Sequence, residues 1–131
     1  MKRFTQDHEW LEIDEDGIGT VGISEYAQET LGEISKIDMP EEGAFFKKGE
    51  AFAHIESEDA SCEVYMPASG KIIAINEQLE AFPELLNSEP EGVGWIVKIE
   101  LSDKSQLNEL IKKEDYLETL PEDGDTEDGE E

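Results

Sequence analysis

Alternation of apolar and polar residues, broken at short intervals by turn residues, most narrows what this chain can fold into. It is clearest over residues 49–76, GEAFAHIESEDASCEVYMPASGKIIAIN. Ala51, Ala53 and Ile55 lead into Glu56-Ser57-Glu58-Asp59-Ala60-Ser61, and Val64 and Met66 lead out. A period of two places every second side chain on one face of a strand, and two such runs about a polar turn predict a hairpin. Pro67-Ala68-Ser69-Gly70 ends the second run, and residues 71–75 (KIIAI) start a third strand. A hairpin with a charged tip presents whatever stands at that tip.

The pattern recurs on both sides. Residues 4–13 read as one strand carrying Phe4, His8, Trp10 and Ile13, and Asp14-Glu15-Asp16-Gly17 as its turn. Residues 18–23 (IGTVGI) return. Ser24 then caps a short helix with Tyr26, Ala27 and Leu31 as its apolar stripe, stopped by Gly32. Residues 33–39 and 44–47 read as strands. Over 76–87, Pro83 suits the first position of a helical turn. Residues 88–94 are a loop, and 95–101 (WIVKIEL) the last strand, with Trp95, Val97, Ile99 and Leu101 on one face. Ser102 is expected to cap a C-terminal helix or helix pair bearing Leu107, Leu110, Ile111, Tyr116, Leu117 and Leu120, ended by Pro121. Short strands with frequent turns imply a mainly β domain, a small sandwich or flattened barrel edged by helices. The expected division is a domain over 1–120 and an acidic, disordered tail over 121–131, which has no apolar residue to bury.

Composition limits function. A chain of 131 residues can bury one core, and its formal net charge is −25. Phosphate recognition needs clustered cationic side chains, so nucleic acid and anionic membranes are disfavoured as partners. A partner with a basic docking face fits better. The single cysteine, Cys62, excludes an internal disulfide and suits a reducing compartment. With no bilayer-length apolar run and no apolar leader after Met1, a cytoplasmic protein is expected.

Catalytic groups are sparse. His8 and His54 form no metal-ligand spacing with each other or with Cys62, and read as surface or partly packed side chains. A nucleophilic thiol needs a neighbouring base or positive charge, whereas Cys62 stands between Ser61 and Glu63. Glycines occur singly at turns, with no phosphate-binding loop. Neither a catalytic residue nor a metal site is expected, and the chain does not read as an enzyme.

Several motifs in order carry a resemblance. They are His8-Glu9-Trp10, GTVGISEYAQETLGEI from Gly19, KKGEAFAHIES from Lys47, VYMPASGKI from Val64, and NEQLEAFPELLNSEPEGVGWIVKI from Asn76. Together they make the chain similar to the H proteins of the glycine cleavage system, a lipoyl-domain family. The resemblance implies two small antiparallel sheets packed as a flattened barrel, the barrel-sandwich hybrid. It also implies a role in glycine catabolism, carrying the aminomethyl group on a lipoyl-lysine at the hairpin tip. The implied partners are glycine decarboxylase, aminomethyltransferase, dihydrolipoyl dehydrogenase and the lipoate-attachment enzymes.

The family pattern at the tip is Glu-Ser-x-Lys-Ala. Here the register reads Glu56-Ser57-Glu58-Asp59-Ala60, so Asp59 occupies the lipoyl-lysine position. Lipoylation needs a nucleophilic amine, which a carboxylate cannot supply. The lysines nearest in sequence, Lys47, Lys48 and Lys71, lie beyond the ends of the hairpin. The resemblance further implies that Glu9 helps hold the loaded arm, that Glu63 replaces an aspartate-type partner near the tip, and that Ser57 and Cys62 belong to the tip or arm pocket. The expectation is a degenerate lipoylation site, no lipoate cofactor, and a binding or regulatory module. Two alternatives stand beside it: a working lipoyl carrier with an unseen attachment site, and a redox protein based on Cys62.

Overall fold

The computed structural model describes residues 2–58 and 60–119. Asp59, Leu120, Pro121 and the acidic tail lie outside the described residues.

Strands β1 (Lys2–Phe4), β2 (Glu9–Ile13) and β3 (Ile18–Ile23) form an antiparallel meander. The single strand expected over 4–13 is thus two. Thr5 breaks it: its hydroxyl accepts the backbone N–H of Asp7 and of Glu9, both at 3.1 Å, and its carbonyl accepts the N–H of His8. These local bonds replace ladder bonds and turn the backbone, leaving His8 at φ 72°. Helix α1 (Glu25–Leu31) follows as predicted, with the Ser24 hydroxyl accepting from the Ala27 N–H at 3.2 Å and Gly32 at φ 81° ending it.

Next come β4 (Ile34–Asp38), β5 (Phe45–Phe46), the hairpin β6 (Ala51–Ser57) and β7 (Ser61–Tyr65), and β8 (Gly70–Ile75). Short helices α2 (Gln78–Ala81) and α3 (Leu85–Ser88) lead to β9 (Val97–Leu101). Pro83 stands before α3 rather than as its first residue. The chain closes with a 3-10 helix (Lys104–Glu109), β10 (Ile111–Lys112) and α4 (Lys113–Thr119).

Other expectations are corrected as well. Asp103, not Ser102, caps the 3-10 helix, its carboxylate accepting from the Ser105 N–H at 3.0 Å. The expected helical stripe is broken by a strand because Ile111 pairs with Phe4, which demands extended backbone, and Leu117 is exposed. In β6 a register shift between Ala51 and Ala53 turns Phe52 inward with Ala53 and leaves Ala51 exposed.

The strands make two sheets, of seven strands in the order β10-β1-β2-β3-β9-β8-β5 and of three in the order β4-β6-β7, with every pairing antiparallel. The main core lies between them and includes Leu11, Val21, Ile55, Val64, Met66, Ile72 and Ile99. Ile96, placed by alternation on the polar face, is fully buried because it precedes the regular part of the strand. A second cluster, Phe4, Trp10 and Tyr116, is separate from this core. Trp10 lies over Gly22, where a Cβ would stand 2.9 Å from the indole, and its N–H donates to the Pro90 carbonyl at 2.9 Å. Two antiparallel sheets with a few short helices are the mainly β fold that the alternation implied, in the two-sheet form that the resemblance implied.

Candidate functional site

The hairpin tip is set by Ser57. Its N–H donates to the Ala60 carbonyl at 2.8 Å, and its hydroxyl accepts the Ala60 N–H at 3.1 Å, closing the turn. The same hydroxyl donates to the Leu31 carbonyl at 2.6 Å, tying the tip to the end of α1. The Glu58 N–H reaches the Glu33 carbonyl at 3.3 Å. The tip is therefore held against the α1–β4 junction. Asn87 fixes that junction from α3, accepting the Ile34 N–H at 2.8 Å and donating to the Gly32 carbonyl at 2.8 Å.

The sheet brings up a lysine that distance along the chain conceals. Lys36 on β4 pairs with Glu56 on β6, next to Ser57, and its exposed ammonium lies 3.7 Å from Asp38. Of the lysines noted from the sequence, Lys48 is ion-paired with Glu109, and Lys71 lies on β8 in the other sheet.

The candidate site residues divide between the faces of the hairpin. Cys62 pairs with Ile55 and packs against the core, whereas Glu63 pairs with His54, 3.4 Å from its Nδ1. Glu56 stands 3.6 Å from Nε2 of the same ring, so His54 is a partly exposed side chain between two carboxylates. Burial, then the charges of Glu9 and Glu63, raise the Cys62 thiol above its ordinary value. These surroundings oppose a thiolate and weigh against redox chemistry at Cys62. Among the described residues no group of histidine, cysteine and acidic side chains is arranged to hold a metal.

Glu9 is the buried acid of the site, only 2% exposed. One carboxyl oxygen, Oε1, accepts from the Thr5 hydroxyl at 2.6 Å, and Oε2 from the Tyr65 N–H at 3.0 Å. The carboxyl thus spans from the Thr5 turn to the edge strand of the smaller sheet. Burial pushes it up to about 7 against the two hydrogen bonds, which favour the charged form.

Two clefts of about 340 Å³ flank this span. One is bordered by Glu9, Lys48, Met66, Glu109 and Leu110. The other, beside the hairpin, is bordered by His8, Ala27, Leu31, Cys62 and Glu63. Gln6, Asp7 and Tyr65 line both. Of the residues expected together, Cys62 and Glu63 share a cleft, Glu9 faces the other, and Ser57 is engaged in the turn. Asp59 has no described position.

Sequence reading missed the partners that make the site. Tyr116 on α4 places its hydroxyl 2.7 Å from His8 Nδ1 and 2.7 Å from the Ser24 hydroxyl. Its ring stacks on Phe4 at 4.3 Å, and burial pushes the phenol up to about 12. His8 also packs against Tyr26, with ring centroids 4.7 Å apart. The histidine is thus a packed bracket between α1, β2 and α4.

Comparisons with known proteins agree with this arrangement. The family model described as Glycine cleavage H-protein matches residues 2–123. A glycine cleavage system H protein of Thermotoga maritima is 49% identical over 118 residues, covering 90% of this chain and 94% of the relative. One from Vibrio atlanticus is 46% identical over 121 residues, covering 92% and 96%. The crystal structure of a glycine cleavage system H protein from Mycobacterium marinum superposes with a TM-score of 0.82 at 30% identity, covering 89% of this chain and 94% of that one. Two packed sheets, a hairpin pinned at its tip and near full-length similarity in both sequence and structure lead to one assignment: the chain belongs to the glycine cleavage H-protein family, a family of lipoyl carriers rather than catalysts.

Proposed function

We propose that this chain is an H-type scaffold of glycine catabolism that docks with proteins of the glycine cleavage system without carrying lipoate. One observation carries the reading: Asp59 stands between Glu56-Ser57 and Ala60, where the family pattern has its modified lysine. Forming the lipoyl amide requires an amine nucleophile, and a carboxylate provides none. The pinned turn supports it, because Ser57 and Ala60, which fix the register around the tip, are held by mutual hydrogen bonds.

The module works by presentation. Its partners are glycine decarboxylase, aminomethyltransferase, dihydrolipoyl dehydrogenase or the lipoate-attachment enzymes, met in the cytoplasm through basic docking faces. A formal charge of −25 steers encounter with such faces and repels anionic ones. Residues 1–120 are the docking unit, and 121–131 add charge. Among the described residues no helix is long and apolar enough to cross a membrane.

The test is binding of the purified chain to each of these proteins at physiological ionic strength. Association that weakens with added salt is expected for at least one. Failure to bind any of them would overturn the reading.

A further inference from the structure

Strand β7 ends the smaller sheet, and its outer edge borders the cleft beside the hairpin. Rungs of an antiparallel pair alternate between those that exchange backbone hydrogen bonds and those that do not. The Ser57 N–H bonds the Ala60 carbonyl at the turn, so Ile55–Cys62 is a bonded rung, whereas Glu56–Ser61 and His54–Glu63 are not. On β6 the backbone groups of Glu56 and His54 therefore face β4, where they meet Lys36 and Asp38. On β7 the N–H and C=O groups of Ser61 and Glu63 face away from the sheet, and no strand among the described residues pairs with them. The same alternation turns out the Tyr65 N–H, and there Glu9 Oε2 accepts it at 3.0 Å. Glu9 closes the edge at Tyr65 and leaves the two rungs before it open.

We propose that a partner docks on this edge by adding an extended basic segment as a fourth strand beside β7. The open groups of Ser61 and Glu63 supply main-chain hydrogen bonds, and alternate side chains of the added strand enter the cleft. The inference rests on the docking role proposed above, and it names the surface and the chemistry of the partner.

The cleft selects the occupant. At about 340 Å³ it is the size of a ligand pocket, with Ala27, Leu31 and Cys62 as its apolar part and the carboxylates of Asp7 and Glu63 on its border. None of the described residues lining it is a lysine or an arginine. Successive side chains of a strand point to opposite faces, so a segment alternating aliphatic with lysine or arginine residues meets both demands. A second copy of this chain does not. Each copy carries a formal charge of −25, and pairing two β7 edges sets Glu63 beside the like charge of its counterpart. The edge carries no proline, so nothing in its backbone blocks an incoming strand.

The experiment is an NMR titration of the intact chain, to about 5 mM, with a capped pentapeptide alternating lysine and valine. A copy methylated at every backbone nitrogen keeps the charge and the side chains but has no N–H to donate. Expected are shifts of the Ser61 and Glu63 amides, exchange at both slowed about tenfold, and an unchanged Ile99 amide. The methylated copy should bind at least about tenfold more weakly. Ser61→Pro removes an N–H that the hairpin does not use and should weaken binding as much; Glu63→Lys should weaken it through charge alone. If Ser61→Pro fails to fold, Glu63→Lys and the methylated copy decide. Equal binding of the two peptides, shifts that spare Ser61 and Glu63, or no binding would overturn the proposal. The same amides are then followed with each whole partner protein. A partner that binds without moving Ser61 and Glu63 would overturn this surface and leave the docking role standing. If no partner binds, the docking role falls, and the peptide titration still judges the edge.

Discussion

At the scale of single residues, Glu9 links position to energy. Its carboxyl binds the proton more tightly in the folded chain, at about 7, than an exposed glutamate does, at about 4.5. A folded-state value raised above the unfolded one means stability is fully present below the unfolded value and lost as pH rises through the folded one. That tighter binding corresponds to about 3 kcal/mol. Glu9→Gln removes this titration. Its stability relative to wild type should therefore rise by about 3 kcal/mol between pH 4.5 and pH 8.5, read from urea unfolding at each pH. A pH-independent difference would remove the linkage.

Gly22 is a second such residue. A Cβ there meets the Trp10 ring at 2.9 Å, and the ring is fixed by its bond to Pro90. Gly22→Ala should cost about 1–3 kcal/mol and perturb tryptophan fluorescence. At this scale little was legible. Glu9 reaches Tyr65 across 56 positions, and Ser24 reaches Tyr116 across 92. Such pairs leave no periodic trace, so the resemblance pointed to Glu9 while the turn that fixes it stayed hidden.

Elements were far more legible, because their signals are local. Ser24 as cap, Gly32 as stop and period-two runs on either side of the tip foretold α1 and the β6–β7 hairpin. The C-terminal segment was not, since Leu107, Leu110 and Tyr116 fit a helical stripe whichever way the backbone turns. Pairing of Ile111 with Phe4 decides it, and that is a tertiary choice. The first strand failed for the opposite reason: Thr5 makes a local hydrogen-bonded turn that alternation does not register.

The same local bonds make the hairpin tip testable as an element. Ser57→Ala deletes the hydroxyl that donates to Leu31 and accepts from Ala60. It should lower stability by about 1–2 kcal/mol, and exchange should accelerate at Glu58 and Ala60 more than at Ile99. Equal acceleration at all three would mean that the tip is not held locally.

For the molecule as a whole, charge and scaffold make separate demands. A net charge of −25 on one small domain opposes compaction through self-repulsion. Raising ionic strength from about 0.01 M to about 0.15 M shortens the screening length from roughly 30 to 8 Å. The Tm should rise by several degrees over that range. Association with basic partners should slow over the same range, an opposite sign from the same cause. A Tm that is flat or falling would show that repulsion does not limit the fold.

On the proposed reading, this H-family scaffold lacks at its tip the amine that its family modifies. Intact mass and peptide mapping after incubation with lipoate, ATP and a lipoate-attachment enzyme test it most directly, with Asp59→Lys treated in parallel. The wild-type chain should keep an unchanged mass, and Asp59→Lys should gain one lipoyl group at position 59. A lipoyl addition to the wild-type chain, at Lys36 beside the hairpin or at any other lysine, would contradict it.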